Sequence, residues 1–248
     1  MKNLYNDMLT QTHILIAGKT GSGKSVVING MINAALNENL CKLILIDPKR
    51  VALAKFRNAA QTIRYASEPE DMVKALEYAM ELCDMRYRMM QAIEAEDYEG
   101  SDIYVIIDEL ADLMTTNRKE VAPLIQRLCQ IGRASRIHLI AATQCPLSCI
   151  IPTPIKVNFD TRVALKTVTA QHSRNIMDCT GCETLPPYGK AFYITPNGSE
   201  LIDVPMVSKD ELRATIDRWT VKPSKPAQRR PEPARPAPRK GFFARLFA

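Results

Sequence analysis

Eight consecutive residues constrain this chain more than any others: Gly18-Lys19-Thr20-Gly21-Ser22-Gly23-Lys24-Ser25. They meet every fixed position of the phosphate-loop pattern G-x-x-x-x-G-K-[ST]. The pattern means little without its setting, and the setting is present. His13-Ile14-Leu15-Ile16-Ala17 precedes it, an apolar run of strand length, and Val26 to Leu36 follows with a helical pattern. Strand, glycine-rich turn and helix N-terminus together cradle an anion, because backbone N–H groups turn inward and the helix dipole adds positive potential. Gly18 to Ser25 are therefore the expected nucleotide-binding residues. Lys24 is expected to reach the β- and γ-phosphates, and the Ser25 hydroxyl to ligate Mg²⁺.

A second anchor lies downstream. Ile103-Tyr104-Val105-Ile106-Ile107 is an apolar strand that ends in Asp108-Glu109. A strand ending in an acid, in a chain with a phosphate loop, places a carboxylate near the phosphates. Asp108 is the expected second Mg²⁺ ligand, and Glu109 the group that orients or deprotonates an attacking water. The adjacent Glu favours hydrolysis over a kinase, which passes the phosphoryl group to a hydroxyl and needs no acid to activate water. A third apolar run, Ile137 to Thr143, ends in Gln144, placed to sense a γ-phosphate. Arg133 and Arg136 lie just ahead of it, and either could serve a nucleotide held by a neighbouring subunit.

The other elements follow from patterning. Residues 1–12 read as a short polar lead. Cys41 to Ile46 is a near-continuous apolar run, as in a strand buried on both faces of a parallel sheet. It ends at Asp47-Pro48-Lys49-Arg50, which reads either as a polar turn or as part of the ligand-binding edge. Thr62 to Ala66 reads as a short strand. A long helix is expected next, opened by a Ser67/Glu70 capping box, with Met72, Leu76, Met80, Cys83, Tyr87 and Met90 on one face. Residues 94–102 read as a loop, 119–133 as a helix, 159–165 as a strand and 171–177 as a helix. A hairpin turning at 196–199 and a helix opened by Ser208 and Glu211 close the globular part. No apolar run reaches the ~20 residues needed to span a bilayer, and the first ten residues lack an apolar signal core, so a cytoplasmic protein is expected. The seven cysteines read as reduced thiols. The pairs Cys145/Cys149 and Cys179/Cys182 leave a four-thiolate zinc site as an alternative.

The net charge of +6 divides unevenly. Residues 221–248 hold eight Lys or Arg against the single Glu232, so residues 1–220 sum to −1. A domain of that charge grips nucleic acid only through a local patch or a ring of subunits. Three regions are expected: a globular domain over 1–220, a disordered linker over 221–240 with six prolines, and a tip over 241–248. The tip holds three of the six Phe residues and is amphipathic as a helix. On a basic tether it suits a protein partner's groove or an anionic membrane surface.

With these residues laid out, the chain resembles the FtsK/SpoIIIE family of DNA-translocating ATPases over about residues 12–220. The specific pieces are His13 to Ser25, Ile46-Asp47-Pro48-Lys49, Val105 to Met114, Gln130 to Gln144, Thr161-Arg162 and Ser173-Arg174. The resemblance implies an α/β fold: a RecA-like P-loop NTPase core, its mostly parallel central sheet carrying helices on both faces, followed here by the disordered C-terminal tail. It implies ATP and Mg²⁺ as cofactors, double-stranded DNA as the polymer moved, and a homo-oligomer, a hexameric ring. It gathers Lys24, Ser25, Asp108, Glu109 and Gln144 around the nucleotide and makes Arg133 the trans-acting arginine. The chain departs from the family at Cys145-Pro146 (usually Arg-Pro), at Ala170 and His172, and at Tyr188 to Phe192. These positions concern coupling and DNA contact. An upstream membrane region and a downstream winged-helix module are not expected. The alternatives are an ATP-dependent adaptor that moves nothing, and a related conjugative-coupling or packaging ATPase.

Overall fold

The computed structural model describes residues 4–38 and 41–220. The linker at 221–240 and the tip at 241–248 lie outside them. Eight strands form one sheet: β1 (His13–Ala17), β2 (Cys41–Ile46), β3 (Thr62–Ala66), β4 (Asp102–Ile107), β5 (Ile137–Thr143), β6 (Thr161–Ala164), β7 (Lys190–Thr195) and β8 (Gly198–Asp203). Their order is β3-β2-β4-β5-β1-β6-β7-β8. The first six run parallel, and β7 and β8 are added antiparallel. Among the described residues eight α-helices accompany them: α1 (Leu4–Leu9), α2 (Lys24–Glu38), α3 (Pro69–Ala92), α4 (Leu110–Thr116), α5 (Arg118–Ile131), α6 (Thr153–Lys156), α7 (Ala170–Met177) and α8 (Lys209–Trp219).

The apolar strands are continuous because both faces of the sheet are covered. Alternate residues go to opposite sides. Ile14 and Ile16 of β1, Leu43 and Leu45 of β2, and Tyr104 and Ile106 of β4 face the layer of α1, α2 and α8. Leu15, Ile44, Ile46, Val105 and Ile107 face the layer of α3, α4, α5 and α6. A smaller cluster of Ala164, Ile176, Cys182 and Leu185 lies under α7. Each such side chain fully buried contributes about 1.5–3 kcal/mol.

Several local expectations change. The lead is not merely polar: α1 buries Tyr5, Met8 and Leu9. The Tyr5 ring sits so close over Gly30 that a Cβ there would lie 2.1 Å from the ring, which explains a glycine in the middle of α2. The Ser67 capping box does not form. Helix α3 begins at Pro69 with Glu68 as its N-cap and no side-chain cap; proline is favoured at the first helical position, which sets the start one residue beyond the Ser67 expectation. The Ser208 cap does form, accepting from the Glu211 amide at 3.1 Å. The Glu211 carboxylate turns instead to Asn33 of α2 at 3.2 Å, fastening α8 to its layer. The hairpin turns on Pro196-Asn197 alone, with Gly198 (φ +135°) already paired to Thr195.

Candidate nucleotide site

The C-terminal ends of the parallel strands bring the site together. Strand β5 inserts between β1 and β4, so the residues after β1, β5, β4 and β2 stand side by side along one edge. The sequence names these ends but not their order.

After β1 the chain turns tightly. Gly18 must be glycine: a Cβ would lie 2.6 Å from Ser22 Oγ and 2.8 Å from Leu165 Cβ. Gly21 (φ +75°) and Gly23 (φ +106°) adopt the left-handed backbone that glycine tolerates. The Lys19 amide donates to Lys166 O at 2.8 Å, anchoring the loop to the segment after β6. Helix α2 starts at Lys24, so its N-terminus faces the loop. Lys24 is buried, and its ammonium donates to Gly18 O at 2.6 Å and Lys19 O at 3.1 Å. Burial pulls its pKa down to about 8; Glu109 and Asp108 oppose the shift, and Lys49 adds to it. Ser25 is exposed at the helix start.

The acids come next. Asp108 is half-buried, with its pKa pushed up to about 6 by burial first and then by the Asp47 carboxylate. Asp47, at the end of β2, is fully buried. Its Oδ2 accepts from the Leu53 amide at 2.9 Å, while Oδ1 has no partner among the described residues. Two mutually repelling carboxylates, one with an orphan oxygen, fit a divalent cation. Asp108 and Ser25 are the residues that could hold it beside a nucleotide's phosphates.

Glu109 is 2% exposed, and both of its oxygens are engaged. Oε1 accepts from the Gln144 amide at 3.0 Å. Oε2 accepts from the Lys49 ammonium at 3.2 Å, and Lys49 also lies 3.7 Å from Asp112. Burial works against the charge on Lys49, but the Glu109, Asp112 and Asp108 carboxylates together more than offset it and the Lys49 pKa is raised. The Gln144 side chain accepts from the Thr20 hydroxyl, joining the end of β5 to the phosphate loop. The structure thus brings together Gly18 to Lys24, Asp108, Glu109 and Gln144. It adds Asp47 and Lys49, which the sequence left between a turn and a ligand edge. The available signal was a charged string directly after a buried parallel strand.

Arg133 is not in this cluster. It is exposed ahead of β5, at the opposite edge of the sheet. A seven-residue strand separates the two edges by about 20 Å. Arg136 at the same edge is committed to its own chain, donating to both Asp102 oxygens at 2.8 and 2.9 Å. A cavity of ≈1000 Å³ opens there, lined among others by Tyr98, Asp102, Arg133 and His138, and it shares no residue with the phosphate-loop cluster. Two further positions have structural partners. Arg162 donates to Ile176 O at 2.7 Å, and buried Ser173 contacts Thr167 and Glu183. Among the described residues no three metal-ligating side chains cluster, and the four cysteines considered for zinc are free thiols.

A strand-turn-helix phosphate loop beside an acid-tipped strand, on a parallel sheet layered by helices, defines a P-loop NTPase with a nucleotide-binding site. Comparison with known proteins narrows the class. The FtsK/SpoIIIE family model matches residues 2–104 and 94–148, and the chain belongs to that family. The DNA translocase FtsK of Treponema pallidum is 36% identical over 233 residues, covering 85% of this chain and 29% of that protein. FtsK of Helicobacter pylori strain J99 is 33% identical over 230 residues, covering 85% and 27%. The chain thus spans under a third of the length of these relatives. In fold it is similar to the pCW3 conjugation coupling protein TcpA solved with ATPγS, at a TM-score of 0.76 and 21% identity, covering 86% of this chain and 66% of that one.

Proposed function

We propose that this protein is an ATP-hydrolysing motor that moves double-stranded DNA, working as a ring of identical subunits. The observation that carries the reading is the Glu109 position. A carboxylate that is 2% exposed sits next to the candidate metal ligand Asp108, bonded to the Gln144 amide and within the field of Lys24. A buried acid beside a candidate metal ligand at the nucleotide edge suits the orienting and activation of a water. In this reading Lys24 and the loop amides bind the phosphates of ATP. Asp108 and Ser25 would hold Mg²⁺, which would supply charge neutralisation at the phosphates. Glu109 orients and deprotonates the water, and Gln144 links the γ-phosphate position to the loop through Thr20. Arg133, about 20 Å from its own site by strand length, is available only to a neighbour's nucleotide, which favours a ring.

The DNA translocase FtsK relatives support DNA as the polymer. The test is steady-state ATP hydrolysis with and without linear double-stranded DNA. Wild type is expected to be stimulated by DNA. Glu109→Gln is expected to bind ATP with unchanged affinity and turn it over about 10²–10⁴-fold more slowly. Normal turnover by that variant removes Glu109 from the assignment, and turnover indifferent to DNA favours the adaptor alternative.

A further inference from the structure

Helix α3 carries an apolar row that its packing does not use. Met85 (47% exposed), Met89 (50%) and Ile93 (73%) stand at four-residue spacing, so they line one side of its last turns, off the face that buries Cys83, Arg86 and Met90. Other exposed large apolar side chains, such as Val51, Val168 and Met206, sit on separate segments. Acidic groups surround the row. Residues 77–99 carry seven Asp or Glu against Arg86, which is buried, and Arg88, a net of −5. Among the described residues none of these seven carboxylates forms an ion pair. The described residues end nearby. Thr220 pairs with Ala59, and the Ala60 amide donates to Trp219 O at 2.8 Å, just ahead of the edge strand β3. Strands β3 and β4 both run parallel to β2, so α3, which joins the end of β3 to the start of β4, returns to the end of the sheet where β3 begins. Thr220 and the 85–93 row therefore lie at the same end.

We propose that residues 241–248 dock on this row of their own chain, with the basic stretch before them lying against the acidic 94–99 loop. Phe242, Phe243, Leu246 and Phe247 are spaced to share one helical face. They suit a surface lined by methionines, whose flexible thioethers adapt to aromatic rings. The charges are complementary, since residues 221–248 sum to +7 and face a surface of opposite sign. The length suffices. Residues 221–240 separate Thr220 from the tip, and a proline-rich stretch of twenty residues extends roughly 60 Å at about 3 Å per residue. That exceeds the ~36 Å length of α3 itself. An anionic lipid surface offers the same charge complementarity. The apolar row beside the acids, at the end of the sheet where the tail begins, favours the internal site.

The test is hydrogen peroxide oxidation of the full chain, with each methionine followed by mass spectrometry. It reads no ATP turnover, so its outcome is separate from that of the motor reading. Met206, 81% exposed ahead of α8, is the internal reference. A docked form populated about three to ten times as much as the open one slows sulfoxide formation at Met85 and Met89 by about that factor. Phe243→Ser/Phe247→Ser is expected to remove this protection and leave Met206 unchanged. Glu96→Lys/Glu99→Lys, which leaves the apolar row intact, is expected to remove part of it. Isotopically heavy Phe243→Ser/Phe247→Ser chain mixed with wild type is expected to keep unprotected Met85 and Met89. Protection conferred in that mixture puts the tip on a neighbouring copy and overturns docking within one chain. Equal oxidation of Met85 and Met89 in wild type and the Phe variant overturns the proposal outright. So does tip-dependent sedimentation with phosphatidylserine vesicles together with unprotected Met85 and Met89, which assigns the tip to a membrane.

Discussion

Replacing Arg86 by Met should destabilise the fold without touching the nucleotide site. Arg86 is 4% exposed on α3. Among the described residues no carboxylate pairs with it; three carbonyls hold it instead: Ser135 O at 2.7 Å, Ser101 O at 2.9 Å and Arg136 O at 3.2 Å. Its guanidinium lies 4.3 Å from the Tyr98 ring centroid. It therefore ties the 94–102 loop to the turn entering β5. On truncation Arg136 O keeps the Ile103 amide at 3.0 Å, but the Ser135 and Ser101 carbonyls lose their charged donor. Two orphaned acceptors cost about 1–3 kcal/mol each, and the lost ring contact adds to this. Removing a desolvated cation returns part of it, leaving a net loss of about 3 kcal/mol. For a chain of this size that lowers Tm by about 6–12 °C. Urea denaturation and a thermal scan, each with ATP-analogue affinity in parallel, read both halves of the prediction. A loss below about 1 kcal/mol, the level of an ordinary surface change, would refute the reasoning. So would a loss of nucleotide affinity at temperatures where the variant is folded.

Two further outcomes are expected. Arg133→Ala should bind ATP like wild type and hydrolyse it about 10³-fold more slowly; mixing it with Lys24→Ala subunits should restore turnover, and no restoration argues against action in trans. Asp102 donates nothing but accepts from Arg136 twice and faces His138 Nε2 at 3.0 Å; although burial alone would raise its pKa, these partners hold the carboxyl well below the usual range. A depressed folded pKa stabilises above the unfolded value and is lost as pH falls, so Asp102→Asn should cost about 1 kcal/mol at pH 7, and the gap should begin to narrow below about pH 4 and close only as the pH nears the lower folded pKa. A gap unchanged at pH 3.5 in equilibrium unfolding would contradict the charge account.

Which parts of this could be read from residues alone follows from the range of the forces involved. The phosphate loop is local: glycine at 18, 21 and 23 and Lys-Ser at the helix start specify it within eight positions. The buried strands are also local, since double-sided burial leaves unbroken runs such as Leu43 to Ile46. Strand order is not local. Nothing in Ile137–Thr143 states that it lies between β1 and β4, and only that insertion puts Gln144 beside Thr20 and Glu109. Arg86 appears in sequence as a charged position beside the apolar face of α3; its burial depends on three carbonyls from two distant turns. Lys49 reads as a turn residue because its partner Glu109 is 60 residues away. Helix α1 is too short at six residues for a periodic signal, and Tyr5 finds its place only because residue 30 is glycine.

The central claim is that hydrolysis at this site moves DNA, and displacement of a labelled third strand from a triplex on linear duplex DNA tests it most directly. The account predicts ATP-dependent displacement by the wild-type protein and none by Glu109→Gln, although both bind nucleotide. Wild-type ATP turnover with no displacement on any length of duplex would contradict it.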